Sequence, residues 1–385
     1  MLAAALASDL AHFRVDLAAL ESIASFVADV IRDNYPSLKV PLHARWRHFV
    51  FNGRDLWAEA AQRATWRDTK ARARAEFDLA IVSVLLDAGA GPDWRYRDAA
   101  TGLTAGRSEG LALASLRMFE TGLFSADRND PLRADASRLA ELTSAELAQG
   151  FGAGAQNPLA GLDGRAALLA RLGRAMLEHP HIFAQQDAAR AGGLFDHLAN
   201  GDSQPAPAIL QALLMHLSPI WPERLTLGDV ALGDCWRHRA IRRADVTNGL
   251  MPLHKLSQWL SYSLIEPLQH AGIAVTDIGG LTGLAEYRNG GLFVDINVLT
   301  LRDPGQAARP QPVDSEFVVE WRALTVALLD RLAPLVRVQL GVGEKAFPLG
   351  ALLEGGTWAA GRKIARQKRP DAGPPFQIVS DGTVF

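Results

Sequence analysis

The chain has 385 residues, 48% of them hydrophobic, and a formal net charge of −2, which is the composition of an ordinary globular protein. The near-neutral charge excludes an extended nucleic-acid interface, because phosphate binding needs a stripe of basic residues. One basic segment, at 362–369, ends before Pro370 and is typical of the solvated last turn of a C-terminal helix.

The single cysteine, Cys235, excludes an internal disulfide framework and any cysteine-based zinc site. Residues 1–7 are apolar but carry no basic residue, and Asp9 follows at once, so we expect no signal peptide. No apolar run approaches the roughly 20 residues of a membrane span. We therefore expect a cytoplasmic protein that has neither a membrane nor a nucleic acid as a partner.

Helical periodicity dominates the chain. Apolar residues recur at steps of three and four from Leu17 to Ile31, after Asp16 as N-cap, and Pro36 ends this helix. Similar patterns predict further helices at 77–86, 109–120, 166–177, 208–217, from Pro252 onward with Lys255, Trp259 and Tyr262 on one face, and at 316–336.

Strand signals are few: 292–299 and 376–379 are the best, and 39–42 is weak. We therefore predict a mainly α fold with a small β part. We expect a single catalytic unit over 1–385, in which a helical N-terminal part of about 1–160 packs on a helical C-terminal part of about 161–385. The second part is expected to carry the site.

Residues 281–291, LTGLAEYRNGG, set an acid, a phenol and a guanidinium side by side at Glu286, Tyr287 and Arg288. Neighbours on a helix point to different sides, so these three side chains are expected to fan out rather than pair. A carboxylate held in glycine-punctuated backbone is one way to build a reactive acid. The alternative, which spacing alone favours, is a surface helix end with a C-terminal Asn289-Gly290 cap.

The helix at 316–336 is so apolar that at least one of its charges, Glu316, Glu320 or Arg322, should be buried and need a partner. Arg288 and Lys255 are candidate partners, and a structural ion pair is an equally good interpretation.

Histidines at 43 and 48 have no nearby carboxylate or cysteine in sequence, so the pattern does not indicate a metal site, and we expect no metal and no cofactor. Between them, Arg45-Trp46-Arg47 is better suited to bind a carboxylate of a substrate or of the protein itself, with a structural role favoured.

Three segments in order resemble the queuosine salvage proteins, which hydrolyse the N-glycosidic bond of queuosine 5′-monophosphate. Residues 254–258 (HKLSQ) are similar to their Tyr-Lys-Arg-Ala-Gln helix. Residues 281–288 resemble their Leu-Thr-x-x-Ala-Asp-Tyr-Arg, and 320–322 (EWR) resemble their Glu-Ile-Arg. The resemblance is remote. It implies a helical fold of the queuosine-hydrolase and DNA-glycosylase kind, with Glu286 at the position of the catalytic carboxylate.

A closer resemblance, to the Urc4/Urg3 uracil-catabolism family, covers essentially the whole chain through residues 41–49, 285–295, 319–324, 353–362 and 378–385. That family belongs to a pathway that degrades uracil through a ribosylated nucleotide and releases urea from a ribosylurea-type intermediate. Some members carry a phosphoribosyltransferase label. The present sequence lacks the paired acidic residues of the phosphoribosyl-diphosphate loop, so we set that activity aside.

Together the resemblances imply an N-ribohydrolase acting on a ribosylated, phosphorylated small molecule. Glycosidic cleavage passes through an oxocarbenium-like state, and Glu286 beneath C1 would stabilise that cation and aim water. Lys255, Tyr287 and Arg288 would hold the 5′-phosphate and the ribose.

Asp295 or Glu320 would bind the N–H groups of urea, and His254 and Arg322, which lie in the matched segments, are further substrate-binding candidates. We expect Lys255, Glu286 and Glu320 to line one cavity.

Two positions depart from the queuosine pattern. The acid is Glu286 rather than aspartate, and Ser263 stands where those enzymes carry a second acid, which Glu266 could replace. Two other functions stay open: an amidohydrolase acting on the ring-opened ureido group, and a non-catalytic binding or scaffold protein of the pathway. The oligomeric state is not encoded in these patterns.

Overall fold

The computed structural model describes residues 1–184, 188–222 and 225–379. Numbered in chain order, the α-helices of this part of the chain are α1 Leu2–Leu6, α2 Leu20–Asn34, α3 Leu56–Arg63, α4 Thr69–Leu85, α5 Arg107–Glu120, α6 Ala136–Ala140, α7 Ser144–Gly150, α8 Leu162–Glu178, α9 Pro180–Phe183, α10 Gly193–Leu198, α11 Ala206–Leu217, α12 Lys255–His270, α13 Tyr287–Asp295, α14 Glu316–Leu340, α15 Leu349–Leu352 and α16 Trp358–Lys368.

The strands are short and pair two by two, so the predicted mainly α fold with a small β part is confirmed. They are β1 Phe13–Val15, β2 Val50–Phe51, β3 Arg54–Asp55, β4 Tyr96–Arg97, β5 Thr104–Ala105, β6 Ser203–Pro205, β7 Thr226–Leu227, β8 Val230–Ala231, β9 Cys235–Arg237, β10 Leu250–Pro252, β11 Ala274–Thr276, β12 Leu299–Leu301, β13 Gln311–Pro312 and β14 Ile378–Val379. The pairs β6–β11 and β13–β14 are parallel, and β1–β12, β2–β3, β4–β5, β7–β8 and β9–β10 are antiparallel.

The periodic helices lie where the sequence predicts them, but several strand predictions are wrong. Residues 292–295, expected to start a strand, belong to helix α13, and the strand is confined to Leu299–Leu301. Residues 39–42, which the structure describes, are coil, and the C-terminal strand shortens to Ile378–Val379. Pro252 ends strand β10, and the helix expected to open there begins at Lys255.

The chain forms two compact units, each assembled from separated segments. Of the described residues, unit 1 comprises Met1–His43, Leu225–Gln258 and 279–379, and unit 2 comprises 44–184, 188–222 and Trp259–Ile278. The packing of a helical part of about 1–160 on a helical part of about 161–385 stays a prediction. That the whole chain acts as a single catalytic unit stays a prediction.

Unit 1 is built around α14, whose first turn is capped by the Ser315 hydroxyl and which ends at Gly341 in the left-handed region. Helices α1, α2 and α13 pack on it, and α16 packs on α13. The α13–α14 contact is close because Gly290 has no side chain: a Cβ there would lie 2.7 Å from Trp321 Nε1. This packing fixes the position of the α13 N-terminus, where Glu286 lies.

In unit 2, the Arg45-Trp46-Arg47 segment binds internal groups. The fully buried Arg45 donates to Ser83 at 2.7 Å and to Asp87 at 2.6 Å, and Arg47 donates to both oxygens of Glu266. These contacts confirm that this segment binds carboxylates of the protein, in a structural role.

Among the described residues, no helix combines the length and the apolar character needed to cross a membrane.

Candidate active site at the start of α13

Glu286 is the N-cap of α13. Its backbone is extended (φ −121°, ψ 163°), and its carboxylate accepts the amides of the first helical turn: Oε2 from Arg288 N at 2.7 Å and Oε1 from Asn289 N at 2.5 Å. The residue is 8% exposed. The alternative of a C-terminal Asn-Gly cap is therefore wrong, because Asn289 and Gly290 lie in the first turn of a helix that Glu286 starts.

Tyr287 and Arg288 pair with each other instead of fanning out. The guanidinium carbon of Arg288 lies 4.8 Å from the centroid of the Tyr287 ring, and its Nη1 donates to Ala372 O at 2.8 Å. The expectation that the neighbouring side chains would point apart fails here because the long arginine side chain folds back over the ring. The buried Arg288 is thus held in a defined position beside the carboxylate.

Burial raises the pKa of Glu286 above its ordinary value, while the two backbone N–H groups and the charges of Lys255 and Arg288 oppose that shift. Lys255 is the first residue of α12, and its backbone N donates to Asp234 Oδ2 at 2.9 Å. The N-terminus of α13 adds partial positive charge beside Glu286. This region can hold an anion and can stabilise a developing cation beside the carboxylate.

Asp234, which the sequence did not reveal as a site residue, anchors this region. Both oxygens of its carboxylate accept the Arg322 guanidinium, each at 2.7 Å, and it also accepts from Trp236 Nε1 at 2.6 Å and from Lys255 N at 2.9 Å. Arg322 Nε donates in turn to Ala285 O at 3.2 Å. One buried ion pair thereby fixes both the residue before Glu286 and the start of α12.

Burial would raise the pKa of Asp234, but Arg322 and the other donors outweigh it and hold the pKa well below its usual range. The neighbouring His254 has a left-handed backbone (φ 47°), and its N donates to Asp234 O at 3.1 Å. Burial lowers the pKa of His254, which favours a neutral imidazole. The sequence signal for Asp234 was indirect: Arg322 in an apolar helix required a carboxylate 88 positions away.

Glu320 makes its contacts with residues outside the Glu286 region. Its Oε1 accepts from His12 N at 3.1 Å and from Phe13 N at 2.7 Å, and its Oε2 lies 3.4 Å from His238 Nε2. The sequence pointed to Arg288 or Lys255 as partners, whereas the structure shows β1 and His238. Two residues on a helix differ by about 200°, so Glu320 and Arg322 occupy nearly opposite sides of α14. Glu320 thus anchors β1 in contacts separate from the Glu286 region.

Asp295 lies at the far end of α13, about 13 Å along the helix axis from Glu286. Both of its oxygens accept the Arg369 guanidinium, at 2.7 and 2.6 Å. In unit 2, Glu266 is engaged by Arg47, and burial raises its pKa while Arg47 opposes that shift. Substrate contacts of Asp295, and replacement of the second acid by Glu266, stay predictions.

The fold is mainly α, and its candidate site is a buried carboxylate at the N-terminus of a helix. A family model described as "Protein of unknown function (DUF1688)" matches residues 1–385, and the chain belongs to this family. It is similar to "Protein urg3" of Schizosaccharomyces pombe, 39% identical over 98% of this chain and 92% of the relative. It is also similar to "Uracil catabolism protein 4" of Lachancea kluyveri, 37% identical over 97% of this chain and 92% of the relative.

These matches confirm the whole-chain resemblance expected from the sequence. Residues 380–385, which carried part of that resemblance, lie outside the residues that the structure describes.

Proposed function

We propose that the chain acts in uracil catabolism as a hydrolase of the N-glycosidic bond of a ribosylurea or a ribosylurea phosphate. The role in uracil catabolism is supported by the similarity to Uracil catabolism protein 4 of Lachancea kluyveri, with which the chain aligns over nearly its whole length. The chemical step is inferred from the Glu286 region.

The observation that carries the proposal is the buried carboxylate of Glu286, fixed by Arg288 N and Asn289 N. A carboxylate held by backbone amides cannot turn away from a substrate, and its burial in low dielectric strengthens its attraction for a cation. The network of Asp234 and Arg322 holds the preceding residue in place. This rigidity is what an oxocarbenium-like state requires of a stabilising group.

In the proposed step, the bond between ribose C1 and the urea nitrogen breaks and its electron pair leaves with urea. Water forms the new C1–O bond. Of the two protons of that water, one stays on the new hydroxyl and the other reaches the urea nitrogen, with Glu286 as the carrier. The products are urea and ribose or ribose 5-phosphate. Lys255, Tyr287 and Arg288 hold the phosphate and the sugar, and His254, the residue before Lys255, supplies a neutral hydrogen-bonding group.

A second candidate function, a non-catalytic binding protein of the same pathway, is favoured by one observation. Both oxygens of Glu286 already cap α13, a structural role that needs no substrate. In that case the charged region would bind a ribosylated ligand and leave it unchanged.

Synthetic ribosylurea and its 5′-phosphate, incubated with the purified chain, separate the two functions. Hydrolysis is expected to release urea and reducing sugar in equal amounts. Calorimetric binding of either compound without any release over several hours would instead support the binding protein. Neither binding nor release would refute both.

A further inference from the structure

A cleft in unit 1 lies between α2 and α16 and is independent of the region around Glu286. Its volume is about 550 Å³, which falls within the range of small-molecule sites. Its wall is formed by residues of two helices: Val30, Asp33 and Asn34, and Trp358, Ala359, Arg362, Lys363, Arg366 and Gln367.

The cleft carries a positive charge. Arg362, Lys363 and Arg366 contribute three positive charges and Asp33 one negative charge, so the lining has a net charge of +2. Arg362 and Arg366 are four residues apart and share one face of α16. Two guanidinium groups on one face can approach the same anion from neighbouring positions.

Arg362 is oriented by stacking. Its guanidinium carbon lies 4.7 Å from the centroid of the Trp358 ring, an arrangement that limits the freedom of an otherwise mobile side chain. Trp358 in turn packs against His43 with ring centroids 5.8 Å apart, and His43 Nδ1 lies 2.6 Å from Glu354 Oε2. The contacts of Glu354 and His43 therefore hold Trp358, and Trp358 in turn holds Arg362.

Lys363 makes weak contacts at the surface, and its Nζ lies 5.8 Å from the centroid of the Phe26 ring. Its Nζ lies 3.5 Å from Asp33 Oδ2, and the two side chains are 48% and 68% exposed. Exposed ion pairs of this kind contribute little, so an incoming anion can exchange with the aspartate at small cost.

The orientation of α16 is set by a π-helical turn, Leu353–Thr357, which joins α15 to α16. π-helical turns are rare in proteins, and those that occur often lie at functional sites. A Cβ on Gly355 would lie 2.8 Å from Val40, and one on Gly356 would lie 2.9 Å from Val27 in α2. The π-helical turn thus packs closely on Val40 and on α2, and Arg362, Lys363 and Arg366 of the following helix line the cleft.

We propose that this cleft binds the phosphate group of a small phosphomonoester. A phosphate carries up to two negative charges and three strong acceptor oxygens, which match the charge and the donors of Arg362, Lys363 and Arg366. The proposal does not rest on the hydrolase function, because none of the cleft residues belongs to the Glu286 region.

Equilibrium dialysis of the full chain with labelled inorganic phosphate, ribose 5-phosphate and ribose, at fixed ionic strength, tests the site. Ribose 5-phosphate and phosphate should bind and ribose should not. Arg366→Gln and Arg362→Gln should each weaken phosphate binding about tenfold, the effect of losing one charge-assisted hydrogen bond. Lys368→Gln, on the same helix but outside the cleft, is the matched control and should bind as the unchanged chain does.

Three results would overturn the proposal: no phosphate binding, equal binding of ribose and ribose 5-phosphate, or unchanged binding in Arg366→Gln. Loss of binding in Lys255→Met with full binding in Arg366→Gln would assign the phosphate to the Glu286 region instead. If Arg362→Gln fails to fold because the Trp358 stack is lost, the exposed Arg366 still carries the test.

Discussion

Asp234 and Glu286 are buried carboxylates of the same unit, and their surroundings act on them in opposite directions. Asp234 receives both arms of the Arg322 guanidinium, a tryptophan N–H and a backbone amide, and its pKa falls well below the ordinary range. Glu286 accepts hydrogen bonds from two backbone amides. Burial raises its pKa, and the charges of Lys255 and Arg288 oppose that shift only in part.

The difference shows how one unit can use a buried acid in two ways. A carboxylate that forms a bidentate ion pair with an arginine has its charge balanced, and the pair holds the neighbouring elements together. A carboxylate held only by amide dipoles is fixed in position while its charge remains incompletely balanced. Such a charge is available to a cationic transition state.

The largest effect on stability is expected from Asp234→Asn. It leaves Arg322 buried without its counter-charge, and breaking a buried pair in this way costs about 3–5 kcal/mol in the free energy of unfolding. Urea denaturation should show this loss. Asp295→Asn, which breaks the less buried pair with Arg369, is the control and should cost clearly less. Equal losses would mean that Asp234 has no special structural role.

Glu286→Gln should instead affect chemistry. The amide keeps the shape but removes the charge, and the hydrolysis rate should fall by about a hundred- to a thousand-fold. One capping hydrogen bond is lost, so the free energy of unfolding should drop by about 1 kcal/mol. Asp68→Asn removes a carboxylate that caps α4 through Ala71 N and should leave the rate unchanged. A similar rate loss in both variants would reduce Glu286 to a helix cap.

The two carboxylates should respond to pH in opposite ways. Because burial raises the pKa of Glu286 above 4.5, hydrolysis should decline on the acid side with a midpoint above pH 4.5. The folded state binds this proton more tightly than the unfolded state, so the contribution of Glu286 to stability improves as pH falls through that window.

The stability due to Asp234 is fully present above pH 3.8, the ordinary value for its carboxyl group, and is lost only as pH falls through its depressed pKa. Rate and unfolding profiles of the unchanged chain and of Glu286→Gln would measure these responses. An acid limb that persists in the glutamine variant would assign it to another group.

Glu286→Asp should have the smallest effect. Aspartate is a favoured N-cap residue, so stability should change by less than about 1 kcal/mol. The carboxylate retreats by one methylene, and the hydrolysis rate should lie between those of the unchanged chain and of Glu286→Gln. Complete inactivity with an intact fold would show that the reach of the side chain matters as much as its charge.

Helical periodicity was sufficient to predict most helices, because α2, α4 and α14 bury apolar faces that repeat at 3.6 residues. It failed at 292–295, which continue α13, because Asn289, Gly290 and Gly291 resemble the end of a helix. The glycine at 290 instead permits the close approach of Trp321, a requirement of tertiary packing that no local pattern contains.

The site was predicted in part. The sequence indicated that Glu286 lies in a special turn and that charges in α14 would be buried, and Glu286, Glu320 and Arg322 are buried. Asp234 stayed hidden because its partner is distant in sequence. Glu320 and Asp295 were assigned to urea, but their partners are β1 and Arg369, contacts that only the folded chain defines.

Glycosidic hydrolysis is tested by the fate of the ureido carbon. Synthetic ribosylurea 5′-phosphate, labelled with ¹³C at that carbon, is incubated with the unchanged chain and with Glu286→Gln. Glycosidic hydrolysis predicts intact labelled urea from the unchanged chain and at least a hundred-fold slower release from the variant. Labelled carbon dioxide with ammonia in place of urea, or equal rates of urea release from both proteins, would contradict the account.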